Sequence, residues 1–155
     1  MFVSMYLWKQ LMFRLFCFLA HHQIESLMID CYVAGDLIRQ QTEAIVNPAN
    51  VYLQHGGGAA RAIADAAGRQ LEDGCRAYIK QRGNLRVAQP MHTSAGNLPR
   101  PITSVIHVAG PIAHEYRNKE ECHKYLRCAF RNCLQYANEV LRVQSVSVPA
   151  ISSGN

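Results

Sequence analysis

The sequence predicts an α/β fold, with strands alternating with helices that cover both faces of a sheet, and three stretches carry that prediction. Residues 44–68 read as the end of a buried strand, a glycine loop and a helix. Residues 104–111 are an apolar, β-branched run closed by Gly110-Pro111. Residues 119–148 combine a long amphipathic helix with one more short strand. A chain of 155 residues is one domain with mass enough for a core, and a composition 49% hydrophobic and 17% charged excludes a disordered one.

The elements follow in order. The domain is expected to span residues 24–155, with residues 1–23 an apolar extension outside the fold. Lys9 and Arg14 cut that extension into runs too short to cross a bilayer, and no clean signal-peptide pattern is present, so a membrane partner is disfavoured. Residues 27–33 read as a strand, and Gly35-Asp36-Leu37 stands at its exit, where Asp36 suits a helix N-cap. Ile45-Val46 ends the next buried strand, and Asn47 and Asn50 sit where it gives way to a loop. Gly56, Gly57 and Gly58 then lead into an alanine-rich helix broken by Gly68. A second helix is expected from Arg69 to about Gln81, burying Leu71, Cys75, Tyr78 and Ile79. A strand is expected to begin at residues 86–89 and to be interrupted or to end near Pro90, followed by a turn at residues 94–99. The strand 104–109 holds His107 in an apolar run, where a hydrogen-bonded core histidine is the expected reading. Cys122, Leu126, Ala129, Phe130, Cys133, Ala137 and Val140 recur at helical spacing over residues 119–141. Residues 145–148 form the last strand, which runs into Ser152-Ser153-Gly154.

A strand, a glycine loop and a helix start make an anion cradle. The glycines let backbone approach the anion, and the first helical N–H groups lack partners inside the helix. The commoner phosphate motifs fail here. Counted from Gly56, the third glycine of a dinucleotide fingerprint falls on Arg61, and no Gly-Lys-Ser/Thr of a P-loop is present. The loop holds amides and His55 but neither acid nor lysine, which suits a phosphate ester held by backbone rather than one being transferred.

Charge and cysteines add little. The net charge of +5 is compatible with polyanions, but Arg61, Arg69, Arg76, Lys80, Arg82 and Arg86 are diluted by Asp65, Glu72 and Asp73, as on a solvated helix face. The six cysteines show no CxxC and no secreted-framework spacing, so reduced, intracellular thiols are expected. A zinc site from His114, Cys122, His123 and Cys128 is disfavoured by spacing, and no metal is expected.

At Asn47-Pro-Ala-Asn50 and Gly56-Gly57-Gly58 the chain resembles the macrodomains, a family that binds ADP-ribose. The residues before the glycines, Val-Tyr-Leu-Gln-His, look most like macrodomains of vertebrate multi-macrodomain ADP-ribosyltransferases and of some RNA viruses. The resemblance runs from about Leu27 to Gly154. It implies a three-layer α/β/α sandwich around a mixed sheet, cytoplasmic and/or nuclear, whose ligand is ADP-ribose, free or carried as mono- or poly-ADP-ribose on proteins, with no separate cofactor. It implies that Asp36 accepts from the adenine amine, with the Leu37 backbone beside it. Gly56, Gly57, Gly58 and Ala59 would hold one phosphate, and Ser152, Ser153 and Gly154 the other. Asn50 would meet the ribose nearest the attachment point, and Asn47 would shape the turn. Family members continue past this point with a loop aromatic, a helix and a strand, so the resemblance implies a domain incomplete at its C-terminus and a weakened binder.

Two readings stand beside binding. Hydrolysis of ADP-ribosyl esters would rest on Asn50 and His55, because the acid of one hydrolase branch is replaced here by Ala60, and Asp65, five residues on, is expected to face elsewhere. A basic RNA- or polyanion-binding module would instead use the Arg61–Arg86 surface. Nothing in the sequence fixes an oligomeric state.

Overall fold

Strand β1 (Ala44–Ala49) is the centre of the sheet in this computed structural model, which describes residues 36–153. The strand expected at residues 27–33, the apolar segment before it, and Gly154 lie outside the described residues. β1 pairs in parallel with β3 (Ser104–Ala109) on one side and with β4 (Val146–Ser147) on the other. β2 (Met91–Ser94) runs antiparallel to β3, so the described sheet is mixed, in the order β2-β3-β1-β4.

Alternation along the strands assigns the two faces. Ile45 and Ala49 of β1, Val105 and Ala109 of β3 and Met91 of β2 form one core with α1 (Gly58–Ala67) and α2 (Arg69–Arg82), through Ile63, Ala64, Ala67, Leu71 and Cys75. Period 2 places Asn47, His107 and Thr93 on this same face. Val46, Ile106 and Val108 point the other way, toward the layer of α3 (Lys119–Tyr136), which packs on β3 and buries Ala129, Phe130 and Cys133. Each large aliphatic side chain so buried contributes about 1.5–3 kcal/mol. Helices on both faces of a mixed sheet are the α/β architecture the sequence predicts.

Three expectations change. β1 does not end at Val46 but continues through Asn47 and Pro48 to Ala49. Proline is tolerated there because β4 pairs only with Ala44 and Ile45, leaving the Pro48 flank without that neighbour. No strand runs over residues 86–89: Ala88 has φ +64°, which an extended strand cannot hold, and Val87 makes only an isolated bridge to Ala109. The strand begins instead after Pro90, at Met91. Val140 is 54% exposed rather than on the packing stripe. Past Tyr136 the helix widens into a π turn over Ala137–Leu141, whose i→i+5 bonds shift the phase of later side chains.

Candidate functional site

β1, β3 and β4 are parallel, so their carboxyl ends open on one edge of the sheet, where ligands of open α/β sheets bind. From that edge β1 leads to Asn50 and the glycine loop, β3 to Gly110-Pro111, and β4 to residues 148–153. The loop after β4 closes directly over the end of β3. A Cβ on Gly110 would lie 2.1 Å from Ser152 Oγ and 2.5 Å from Ile151 Cγ2. Ile151 is buried beneath the loop, while Ser152 and Ser153 are exposed, and Ser153 Oγ donates to Ala150 O at 3.2 Å.

The glycine loop opens α1 as the sequence predicts. The N–H of Arg61 donates to Gly57 O at 3.2 Å, so the N–H groups of the preceding turn, Ala59 among them, have no partner further back in the helix. Among the described residues, a Cβ on Gly56, Gly57 or Gly58 would meet nothing within 4 Å beyond its own chain neighbours and helix backbone, so their packing is not what demands glycine here. Asp36 caps the Leu37–Arg39 3-10 turn, accepting from Ile38 N–H at 3.2 Å, and it pairs with Arg39 at 3.4 Å. That turn packs against α1. The exposed carboxylate has further lone pairs, so capping leaves it free to accept from a ligand.

The two asparagines do not divide the work as expected. Asn47 is fully buried within β1 and shapes no turn. Asn50 shapes it: its Oδ1 accepts from the N–H groups of Tyr52 and Gln54, both at 3.0 Å, and its Nδ2 donates to Gln54 O at 2.7 Å. One Nδ2 hydrogen of Asn50 remains for a ligand. The physical reason is the strand's true length, which carries Asn47 into the sheet and leaves Asn50 first in the loop.

Asn47 is instead the hub of a polar cluster beneath the loop. Its Nδ2 lies 3.0 Å from His107 Nδ1 and 3.4 Å from His55 Nδ1, while its buried Oδ1 has no partner among the described residues. His107 Nε2 is 2.9 Å from Thr93 Oγ1, and Cys75 Sγ stands 3.6 Å from His55 Nε2 and 3.9 Å from His107 Nε2. His107 is thus the hydrogen-bonded core histidine expected. Burial, and then the neighbouring His55 and His92, push its pKa down to about 3. Burial also lowers His55, against the opposing pull of Glu72, and raises the Cys75 thiol to about 11. His55 is accordingly a neutral, tethered side chain with both ring nitrogens facing protein.

His55, Gly56 and Cys75 open onto a groove of roughly 860 Å³ along α1 and α2, lined also by Tyr52, Arg61 and Asp65. Asp65, exposed and paired with Arg61 at 3.4 Å, lines the same groove as His55 but faces away from the buried Ala60 position. Ala60 is a buried helix residue. The sequence marked Cys75 as core but gave no sign that it meets two histidines. Among the described residues, His55, Cys75 and His107 are the His/Cys group that converges, rather than His114, Cys122, His123 and Cys128.

The Asn50 hydrogen bonds set an expectation for kinetics. Asn50→Ala is expected to lower any ADP-ribosyl-ester turnover at least tenfold, and His55→Ala by less than threefold, because Asn50 holds the loop while His55 offers no free base. A His55→Ala chain that keeps its ligand affinity but loses turnover would reverse that order.

Comparison with known proteins agrees with this fold. The Macro domain family matches residues 46–155. A Salmonella newport protein named O-acetyl-ADP-ribose deacetylase is 38% identical over 122 residues, covering 79% of this chain and 65% of its own. The structure of an Oceanobacillus iheyensis macrodomain with ADP superposes with a TM-score of 0.69 at 33% identity, covering 77% of this chain and 62% of that one. A Trypanosoma brucei macrodomain in complex with ADP-ribose gives 0.64 at 27% identity, covering 77% and 46%. The chain spans less than two thirds of the length of each. A mixed sheet with its loops gathered at one edge, matched in sequence over most of the described residues, makes this chain a member of the macro domain family.

Proposed function

We propose that the chain binds ADP-ribose, free or attached to protein, at the carboxyl edge of β1, β3 and β4. The observation that carries this reading is that two backbone loops leave the sheet at that same edge, one ending in Gly56–Gly58 and one closing over Gly110 through Ser152. In this reading the N–H groups of Gly56, Gly57, Gly58 and Ala59 hold one phosphate, and those of Ser152, Ser153 and Gly154 hold the other. Asp36 accepts from the adenine amine beside the Leu37 backbone. The remaining Asn50 N–H meets the distal ribose, and Asn47 acts from below by fixing His55. The ADP and ADP-ribose complexes of the two structural relatives support the ligand class.

Calorimetric titration with ADP-ribose tests the proposal, with AMP and ADP as controls. Saturable one-to-one binding, tighter than either control, is the expected result; no heat with a folded chain would overturn it. Asp36→Ala is expected to weaken binding by about 1.5–3 kcal/mol, the range for a hydrogen bond to a charged group. An unchanged dissociation constant would remove Asp36 from the site.

Ester hydrolysis is the second reading, favoured by the deacetylase relative. The buried Ala60 and the tethered His55 oppose it, since neither offers a free base. Polyanion binding has weaker support, because Arg61 pairs with Asp65, and Arg76 with Glu72 and Asp73, on the helix face that would have to carry it. Binding that falls steeply with salt and ignores Asp36→Ala would favour RNA or poly(ADP-ribose) over the nucleotide.

A further inference from the structure

We propose that His55, Cys75 and His107 form a zinc site in the wall of the groove beside the glycine loop. The side chains come from three elements, the loop after β1, the middle of α2 and strand β3, and their ligand atoms all lie within 4.8 Å of one another. Two nitrogens and a sulfur are a donor set that zinc prefers. Bond lengths of about 2.0–2.1 Å to nitrogen and 2.3 Å to sulfur put tetrahedral ligands roughly 3.3–3.6 Å apart. Cys75 Sγ already stands 3.6 Å from His55 Nε2 and 3.9 Å from His107 Nε2. The two ring nitrogens then have to close from as much as 4.8 Å to about 3.3 Å, a shift of about 1.5 Å within the reach of a half-buried loop side chain such as His55.

Asn47 supplies the second observation. A ligating histidine carries its proton on the other ring nitrogen and gives it to an acceptor, which fixes the ring. For both histidines to ligate through Nε2, both Nδ1–H groups need one, and the Asn47 amide faces both, at 3.0 and 3.4 Å. As placed, that amide turns its nitrogen toward the rings and leaves Oδ1 buried without a partner among the described residues. A half-turn about its last bond, which leaves the shape of the amide unchanged, presents the oxygen to both Nδ1–H groups and moves Nδ2 into the position that Oδ1 now holds. The Nε2 lone pair of His55 is then free for the metal beside Cys75, and that of His107 lies between Cys75 at 3.9 Å and Thr93 at 2.9 Å. The Cys75 thiol loses its proton to solvent as the metal binds, and Thr93 gives up its bond to His107 Nε2. His55 and Cys75 line the groove, so the fourth coordination position faces it, open to water or to an oxygen of a bound molecule. This site stands independently of the ADP-ribose reading.

The competing arrangement is the metal-free network, in which the two Nε2–H groups donate to Cys75 and Thr93. Cobalt(II) titration of the reduced, chelator-stripped chain separates the two. The expected result is one cobalt per chain, with four-coordinate d–d absorption and a thiolate-to-cobalt charge-transfer band, both removed by stoichiometric zinc. Cys75→Ser is expected to abolish the charge-transfer band, and His55→Gln to weaken binding at least tenfold, while Cys128→Ser changes neither. Because His55 is a half-buried loop residue, His55→Gln decides the matter even if Cys75→Ser fails to fold. No stoichiometric band in the parent chain, a band that survives in Cys75→Ser, or unaltered affinity in His55→Gln would each overturn the site. ADP-ribose calorimetry on the chelator-stripped chain reads the nucleotide site separately.

Discussion

Acidification from about pH 6.5 to about pH 4, with a chelator present, is expected to lower the unfolding free energy by roughly 3 kcal/mol through His107 alone. The folded chain holds His107 neutral, with a pKa near 3 against an ordinary value of 6.5. Burial is the main cause, since a charged imidazole inside the sheet would lose its water. As pH falls through 6.5 the unfolded chain takes up a proton that the folded chain refuses, so the equilibrium moves toward unfolding. The stabilising contribution is therefore complete above pH 6.5 and is lost progressively toward pH 3, at about 1.4 kcal/mol per unit. His55, also lowered by burial, adds in the same direction. Urea unfolding at stepped pH measures the slope, and the same series on His107→Gln isolates the residue. Parallel slopes in the two chains would show that His107 is protonated in the folded state.

Replacing Gly96 by alanine is expected to cost roughly 2–5 kcal/mol, from a left-handed backbone (about 1–2) and overpacking (about 1–3). Gly96 has φ +57°, and a Cβ there would lie 2.1 Å from Ala67 O, a backbone atom at the C-terminus of α1. The N–H of Asn97 donates to the same oxygen at 2.9 Å, so the turn is clamped where the methyl group would enter. Gly83 is the internal comparison. Its φ is +75° but nothing lies within 4 Å of its Cβ, so Gly83→Ala carries only the backbone term. The urea midpoint should drop further for Gly96→Ala than for Gly83→Ala, at similar m values. Equal drops would mean that the turn moves away from α1 without loss.

The sequence alone determined the elements whose cause is local. Gly56–Gly58 before an alanine-rich run placed the start of α1. The spacing of Leu71 and Cys75 placed the buried side of α2, and the run from Ser104 to Ala109 was a strand from end to end. Periodicity and glycine chemistry act over a few residues and are written in neighbouring letters. Where an element stops is less local: Val140 left its stripe because a π turn changed the helical phase, and β1 ran on through Pro48 because β4 is too short to reach it. The polar cluster was decided by tertiary structure alone. Asn47, His55, Cys75, Thr93 and His107 come from five separate elements, and each has an ordinary local reading as turn former, loop residue or core filler. The pairing of Asn47 with His107 follows from the register of β1 on β3, and Cys75 joins them because α2 lies across that face of the sheet. Such an assembly depends on long-range pairing and on the burial it brings, which both raises the Cys75 thiol and holds His107 neutral. No window of neighbouring residues contains either, so the cluster exists only once the chain has folded.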